Sequence, residues 1–199
     1  MTKSICIFGG SAKGVDDSYC KFAEELGRLL ARKKITVIYG GGSTGVMGAV
    51  ANAALNNGGH VIGVIPECMS DNQDILRTVS ELFVEKTMHD RKMKMYSLAD
   101  AFIALPGGIG TIEEVAEVIC WMDLELHTKP VLLVNINHYW QAFTAVIENG
   151  IAHGFIFPSI IRSILMVDDI NRIDALIVNG ANRVNRSHFS DQISFNDLA

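Results

Sequence analysis

The sequence predicts an α/β fold, a single domain built on an open, doubly wound parallel sheet. Three observations carry this reading. Short apolar runs of strand length alternate with longer segments of helical periodicity along most of the chain. Most strand candidates are apolar on both faces, as strands covered by helices on each side must be. Three of them end in glycine-bearing turns, Gly9-Gly10-Ser11, Gly40 to Gly45 and Gly107 to Gly110. Ligands of open α/β sheets bind beyond such carboxyl ends.

The elements follow in order. Ser4 to Phe8 is the first strand. Asp17 is placed to cap a helix from Ser18 to about Lys33, with Phe22, Leu26, Leu29 and Leu30 on its apolar face. Ile35 to Tyr39 is the second strand. GGGSTGVMG follows it, and then an alanine-rich helix to about Asn57, stopped by Gly58-Gly59. His60 to Ile65 is the third strand, closed by Pro66. From Glu67 to Ser80 the periodicity fades into a loop with at most a short helix. Leu82 to Glu85 reads as a strand and Thr87 to Leu98 as a helix carrying MHDRK. Asp100 to Leu105 is a buried strand, and Thr111 to about Leu126 the helix behind its glycine turn. Pro130 to Val134, Tyr139 to about Asn149, Ile164 to Val167 and Asp169 to Val178 complete the alternation. Residues 1–179 form the predicted domain, and 180–199 a polar C-terminal tail.

Length and charge bound the functional classes. A chain of 199 residues, 49% apolar and 20% charged, can bury a full core. A net charge of −5 argues against a general nucleic-acid or membrane-surface binder. No stretch approaches 18 uninterrupted apolar residues, and the apolar run near the N-terminus is too short for a signal peptide. Cys6, Cys20, Cys68 and Cys120 form no C-x-x-C pair and match no zinc spacing. The expectation is a cytoplasmic protein with reduced thiols and no metal.

Two motifs suggest chemistry. ADAFIALPGGIGTIEE, Ala99 to Glu114, reads as buried strand, glycine turn and helix start. Glycine lets backbone N–H groups approach a ligand, and the helix N-terminus favours a phosphate. Glu113 and Glu114 follow at once. They read either as first-turn acids that complement the helix dipole, or as carboxylates held beside a bound phosphate ester. MHDRK, Met88 to Lys92, lies on the helix that ends just before this strand. Arg91 carries a planar fork suited to carboxylate or phosphate. In isolation the same run also reads as an ordinary charged face. His89 has no second histidine at i+4 for a metal, and His127, His138 and His153 are scattered. Gly40 to Gly45 satisfies G-x-G-x-x-G, but the nearest following acid, Glu67, stands late and beyond Pro66. That favours a phosphate or sugar cradle over a redox dinucleotide.

With MHDRK and PGGIGTIEE together, the chain resembles the LOG (LONELY GUY) family of cytokinin riboside 5′-monophosphate phosphoribohydrolases, long labelled "possible lysine decarboxylase". The resemblance runs from about Ile5 to Phe157. It includes the turn from Tyr39 to Gly48, VIGVIP from Val61 to Pro66 and KPVLLVN from Lys129 to Asn135. It implies a Rossmann-like homodimer that hydrolyses the N-glycosidic bond of adenosine-type 5′-monophosphates, the base being adenine or an isoprenoid-modified adenine. No cofactor is implied, and the partner is a small-molecule nucleoside 5′-monophosphate. Arg91 and Glu114 become the catalytic pair. Gly10, Ser11, Gly41, Gly42, Gly45, Met88, Lys92, Pro106, Gly107, Gly108, Ile109, Gly110, Thr111, Glu113 and Cys120 become substrate-binding residues. Three positions depart from the family pattern and bear on substrate preference. Gly9 replaces a cysteine, Gln73 stands at an acidic position, and Cys120 replaces a threonine before Trp121. The decarboxylase label lacks a lysine identifiable as a pyridoxal Schiff base with a partner for the ring nitrogen. The alternative of another class is a nucleotide or molybdenum-cofactor carrier of similar fold that binds without turnover. The helix from Thr111 also carries Val115, Val118, Ile119, Trp121 and Met122, more apolar surface than one stripe needs, which suggests a partner.

Overall fold

A computed structural model describes residues 3–179; the expected tail, 180–199, lies outside the described residues. The chain runs β1 (Ser4–Phe8), α1 (Ser18–Arg32), β2 (Thr36–Tyr39), α2 (Gly45–Asn56), β3 (Val61–Pro66), β4 (Glu81–Glu85) and α3 (Met88–Leu98). It continues with β5 (Ala101–Ala104), α4 (Ile109–Asp123), β6 (Val131–Val134), α5 (Gln141–Ala152), α6 (Ser159–Ser163), β7 (Ile164–Val167) and α7 (Ile170–Asn179). The seven strands form one parallel sheet in the order β4-β3-β2-β1-β5-β6-β7. This is the doubly wound architecture the alternation predicts.

Side-chain alternation along the central strands builds two cores. Ile5 and Ile7 of β1 join Ala101 and Ile103 of β5 under α1, α2 and α7, where Leu26, Leu30, Val50 and Ile173 are buried. Cys6 and Phe8 join Phe102 and Ala104 on the other face, under α3 to α6, with Met95, Val115, Trp140 and Ile160. Each aliphatic side chain buried this fully contributes about 1.5–3 kcal/mol.

Several predicted boundaries move. Asp17 stands at the N-cap of α1 as predicted, but its side chain makes no capping bond; the Ser18 N–H goes to Asp16 Oδ1 instead, at 2.8 Å. Helix α2 stops at the glycine pair as predicted, with Gly58 in the left-handed region at φ 72°. Helix α4 begins at Ile109, with Gly108 as its cap, and ends at Asp123 in a turn where Glu125 adopts φ 57°. Helix α5 continues to Ala152, and α6, five residues long, was not predicted. The loop after β3 opens with a 3-10 turn, Glu67–Met69, and then pairs Ile75 with Gly42 in an antiparallel bridge.

The strand order reverses between β1 and its two neighbours, β2 and β5. All three glycine turns follow these strands, so topology gathers them at one crevice.

Candidate active site

The site is assembled from the ends of β2, β3 and β5 and the start of two helices. Helix α3 is started by Thr87. Its Oγ1 accepts the Asp90 N–H at 3.1 Å and donates to Asp90 Oδ2 at 2.7 Å. That start fixes the direction of the next turn, which carries Arg91 and Lys92.

Arg91 reaches across the carboxyl edge of the sheet. Its Nε donates to the Val64 carbonyl of β3 at 3.0 Å, and its Nη1 donates to Glu114 Oε1 at 3.0 Å, with Met88 Sδ at 3.6 Å. The guanidinium lies against Gly40, where a Cβ would overlap Nη2. Arg91 and Glu114 side chains are each only 13% exposed, so this is a half-dry ion pair and not a surface one. Beside it Lys92 Nζ contacts Glu113 Oε1 at 2.5 Å and Glu117 Oε1 at 2.9 Å. Two adjacent sets of charges therefore tie α3 to α4.

Beneath them runs a narrow crevice floored by Phe8, Met95, Tyr96, Phe102 and Trp121. Tyr96 stacks on Phe102 at 5.8 Å and meets Trp121 edge-on at 4.9 Å. This apolar floor bears on the electrostatics. Burial pushes the Glu114 carboxyl above the ordinary glutamate value, although the Arg91 guanidinium opposes it. Burial pulls the Lys92 ammonium down, but its bonds to Glu113 and Glu117 outweigh that and hold it above the ordinary lysine value.

The turn after β5 is the candidate anion site. Pro106 is buried and its carbonyl accepts the Gly10 N–H at 3.0 Å. Gly107 is wedged against Thr111 and Gly10, leaving no room for a Cβ. Gly108 and Gly110 face open space instead, as does Gly42. The first hydrogen bond of α4 runs from Ile112 N–H to the Gly108 carbonyl, at 3.1 Å. The N–H groups of Ile109, Gly110 and Thr111 therefore point out of the helix end, ready for a phosphate. Because α4 starts at Ile109, its first turn holds no acid and Glu113 and Glu114 lie in the second. The dipole explanation for these acids fails, since that effect fades within one turn.

The other two glycine turns are spent internally. Val46 and Met47, at the start of α2, donate to the carbonyls of Ala12 and Gly10 at 3.3 and 3.1 Å. Ser43 N–H donates to the Asp74 carbonyl at 2.7 Å and Leu76 N–H to Gly41 at 2.9 Å. Thr44 Oγ1 donates to the Ser11 carbonyl at 3.1 Å, beside Gly45. These turns shape the crevice, whereas the start of α4 is the end that offers its N–H groups.

Of the residues expected at the site, the fold brings Arg91, Glu114, Lys92, Glu113, Met88 and the turn from Pro106 to Thr111 together. Gly10 joins them through its bond to Pro106. Cys120 is exposed six residues beyond Glu114 on α4, and Gln73 is exposed in the loop after β3. Sequence reasoning missed four participants. Glu117 was findable, one turn beyond Glu113 on the same helix face. The Val64 carbonyl, the contact at Gly40 and a hydrogen bond from Tyr139 to the Gly107 carbonyl are products of tertiary structure alone. Among the described residues no group of three or more His, Cys, Asp or Glu is placed to hold a metal, and no helix is long and apolar enough to cross a membrane.

Residues 47–176, which contain both halves of this site, match the family described as "Possible lysine decarboxylase". The chain is 43% identical over 176 residues to the cytokinin riboside 5′-monophosphate phosphoribohydrolase of Rhodococcoides fascians, covering 88% of this chain and 89% of that one. The chain belongs to the LOG family. LOG1 of Arabidopsis thaliana, a second member, is 45% identical over 157 residues, 79% of this chain and 74% of LOG1. Among solved structures, the molybdenum cofactor binding protein of Rippkaea orientalis superposes with a TM-score of 0.68. It covers 90% of this chain and 97% of that protein at 22% identity, a likeness of fold. Membership of the LOG family accounts for the order and spacing of MHDRK and PGGIGTIEE.

Proposed function

We propose that this chain hydrolyses the bond between C1′ of ribose and the base nitrogen in adenosine-type 5′-monophosphates, including cytokinin riboside 5′-monophosphates. Water adds its hydroxyl to C1′ and its remaining proton balances the departing base, giving free base and ribose 5-phosphate. The observation that carries the proposal is the Arg91–Glu114 pair beside the open start of α4. Glu114 lies five residues inside that helix, about 7.5 Å along its axis from Ile109. That separation suits a ribose whose 5′-phosphate sits at the helix end while C1′ reaches the carboxylate.

As the bond to the base breaks, positive charge grows on the sugar ring. The Glu114 carboxylate stabilises that charge and orients the attacking water. Arg91 remains protonated and holds Glu114 in place through Nη1 while its Nε is fixed to Val64. Lys92 lies between two carboxylates and is held as an ammonium, which suits positioning and not the neutral amine that Schiff-base chemistry requires. Identity of 43–45% to phosphoribohydrolases, against 22% to the cofactor binding protein, supports turnover over storage.

A second copy of the chain belongs in this reading. Val115, Val118 and Ile119 are covered within the chain, and Trp121 and Met122 are half-buried, so the surplus expected on them is largely absorbed. Leu124, Leu126, Phe155 and Phe157 are exposed, the last two at 89% and 73%. Light scattering at micromolar concentration should give the mass of a dimer, and a monomer would reject this part. The reaction is tested by incubating the protein with AMP and with an isoprenoid-modified AMP and measuring the free base. Release from either nucleotide supports the assignment; binding without release from both rejects it.

A further inference from the structure

We infer that Tyr139 is a positioning residue for the anion-binding turn, acting through the peptide between Gly107 and Gly108. The inference rests on the reading of that turn as the phosphate site. Tyr139 follows β6 and lies outside both sequence motifs. Its hydroxyl donates to the Gly107 carbonyl across 32 residues of sequence. A trans peptide is planar, and its N–H points opposite to its C=O. A hydroxyl anchored on the carbonyl of Gly107 therefore holds the N–H of Gly108 pointing away from Tyr139. There it joins the N–H groups of Ile109, Gly110 and Thr111 at the start of α4.

The remaining contacts of the turn show why an anchor is needed. Gly107 is gripped on one side by Thr111 and Gly10. Gly108 meets nothing within 4 Å of where a Cβ would stand, so packing does little to fix its orientation. Glycines with this freedom need an external hydrogen bond to hold one peptide orientation.

The segment that presents Tyr139 is itself strained. Asn137 and His138 both adopt left-handed backbone, φ 51° and 60°, which non-glycine residues rarely do. Asn137 Nδ2 donates to Ser18 Oγ at 3.1 Å, at the start of α1. Asn135 Oδ1 accepts the backbone N–H of Trp140 at 2.8 Å, and the Tyr139 ring meets the buried Trp140 edge-on at 5.2 Å. The turn from Ile136 to His138 is thus a braced strut ending in a hydroxyl aimed at the anion site. Strain of this kind persists where the surroundings over-determine it, and it clusters at ligand sites.

Two variants test the inference. Tyr139→Phe removes one oxygen and keeps the ring contact with Trp140. Asn137→Gly removes the bond to Ser18 and keeps the hydroxyl, and because glycine accepts left-handed backbone without strain the strut holds its shape. The probes are ribose 5-phosphate and inorganic phosphate by calorimetry, and AMP against adenosine in the base-release assay. Tyr139→Phe should weaken both phosphate probes about tenfold and raise KM for AMP. It should leave kcat, and kcat/KM for adenosine, within about twofold. Asn137→Gly should retain phosphate affinity within about threefold. A merely structural role would lower the melting temperature without changing the preference for phosphorylated over unphosphorylated ligand. Unchanged phosphate affinity in Tyr139→Phe, or equal losses in both variants, would overturn the inference. If the parent binds phosphate and cleaves nothing, the proposed reaction fails while the calorimetric comparison still decides the role of Tyr139.

Discussion

Replacing Glu114 by Gln isolates the charge that the proposed reaction needs. The amide keeps the size of the side chain and can still accept the Arg91 Nη1 hydrogen bond, 3.0 Å in the parent. What disappears is the negative charge facing the sugar. Two unit charges about 4 Å apart at an effective dielectric of about 20 interact by about 4 kcal/mol. The Glu114 side chain is only 13% exposed, so that dielectric suits the site better than that of water. A transition state that develops most of a unit charge should therefore lose about 10³-fold in kcat. The effect on stability should be opposite in sense. Burial raises the Glu114 pKa above 4.5 in the folded state, so the folded chain binds that proton more tightly than the unfolded chain. The favourable contribution is present below the unfolded value and is lost as pH rises through the folded one. At neutral pH the ionised carboxylate is thus a burden on the fold, and Glu114→Gln should melt no lower than the parent. The assay pairs initial rates of ribose 5-phosphate release with thermal melting and calorimetric AMP binding on both proteins. Near-parent turnover in Glu114→Gln would refute the reasoning, and so would a large loss of stability at pH 7 with the decline in rate following it.

Three further outcomes follow from the same geometry. The acid limb of kcat/KM should reflect a Glu114 pKa above 4.5, and Glu113→Gln should move it to lower pH, because the Glu113 charge raises that pKa; a pH–rate profile of each protein checks this, and an upward move would contradict it. Adenosine should be a worse substrate than AMP by about two orders of magnitude, if the N–H groups at the start of α4 contribute about 3 kcal/mol to the phosphorylated transition state, as a comparison of kcat/KM would show. Gly108→Ala should fold as well as the parent yet bind phosphate poorly, since its methyl projects into open space at the site, whereas Gly107→Ala should lower the melting temperature by clashing with Thr111 and Gly10.

The sheet was legible because its strands are short, apolar and separated by strong punctuation. Ser4–Phe8 and Ile164–Val167 fall where the pattern puts them. Helix α6 was invisible because five residues are too few to show a period. Helix α4 starts two residues earlier than read, because Gly110 looks like turn chemistry although the helix already includes it. That shift moves Glu113 and Glu114 out of the first turn and changes what they can be for. Arg91 and Glu114 stand 23 residues apart on different helices, and no spacing rule joins them. Family resemblance named the pair, and the register of α3 against α4 makes it a contact. The glycine pattern located the crevice but did not tell which of its turns leaves helix N–H groups free. Three similar turns differ in whether their helix N–H groups are already taken, which depends on carbonyls such as those of Gly10 and Ala12, contributed by another loop. Tyr139 carries no local signal because its partner, Gly107, lies 32 residues away.

The proposed function requires that this site cleave a nucleotide and not merely hold one. Free adenine-type base and ribose 5-phosphate, measured together after mixing the protein with excess 5′-monophosphate, test it most directly. Equal amounts of the two products should accumulate, linearly and far beyond one equivalent of protein. Saturable binding of the same nucleotide with no product after many binding lifetimes would contradict it.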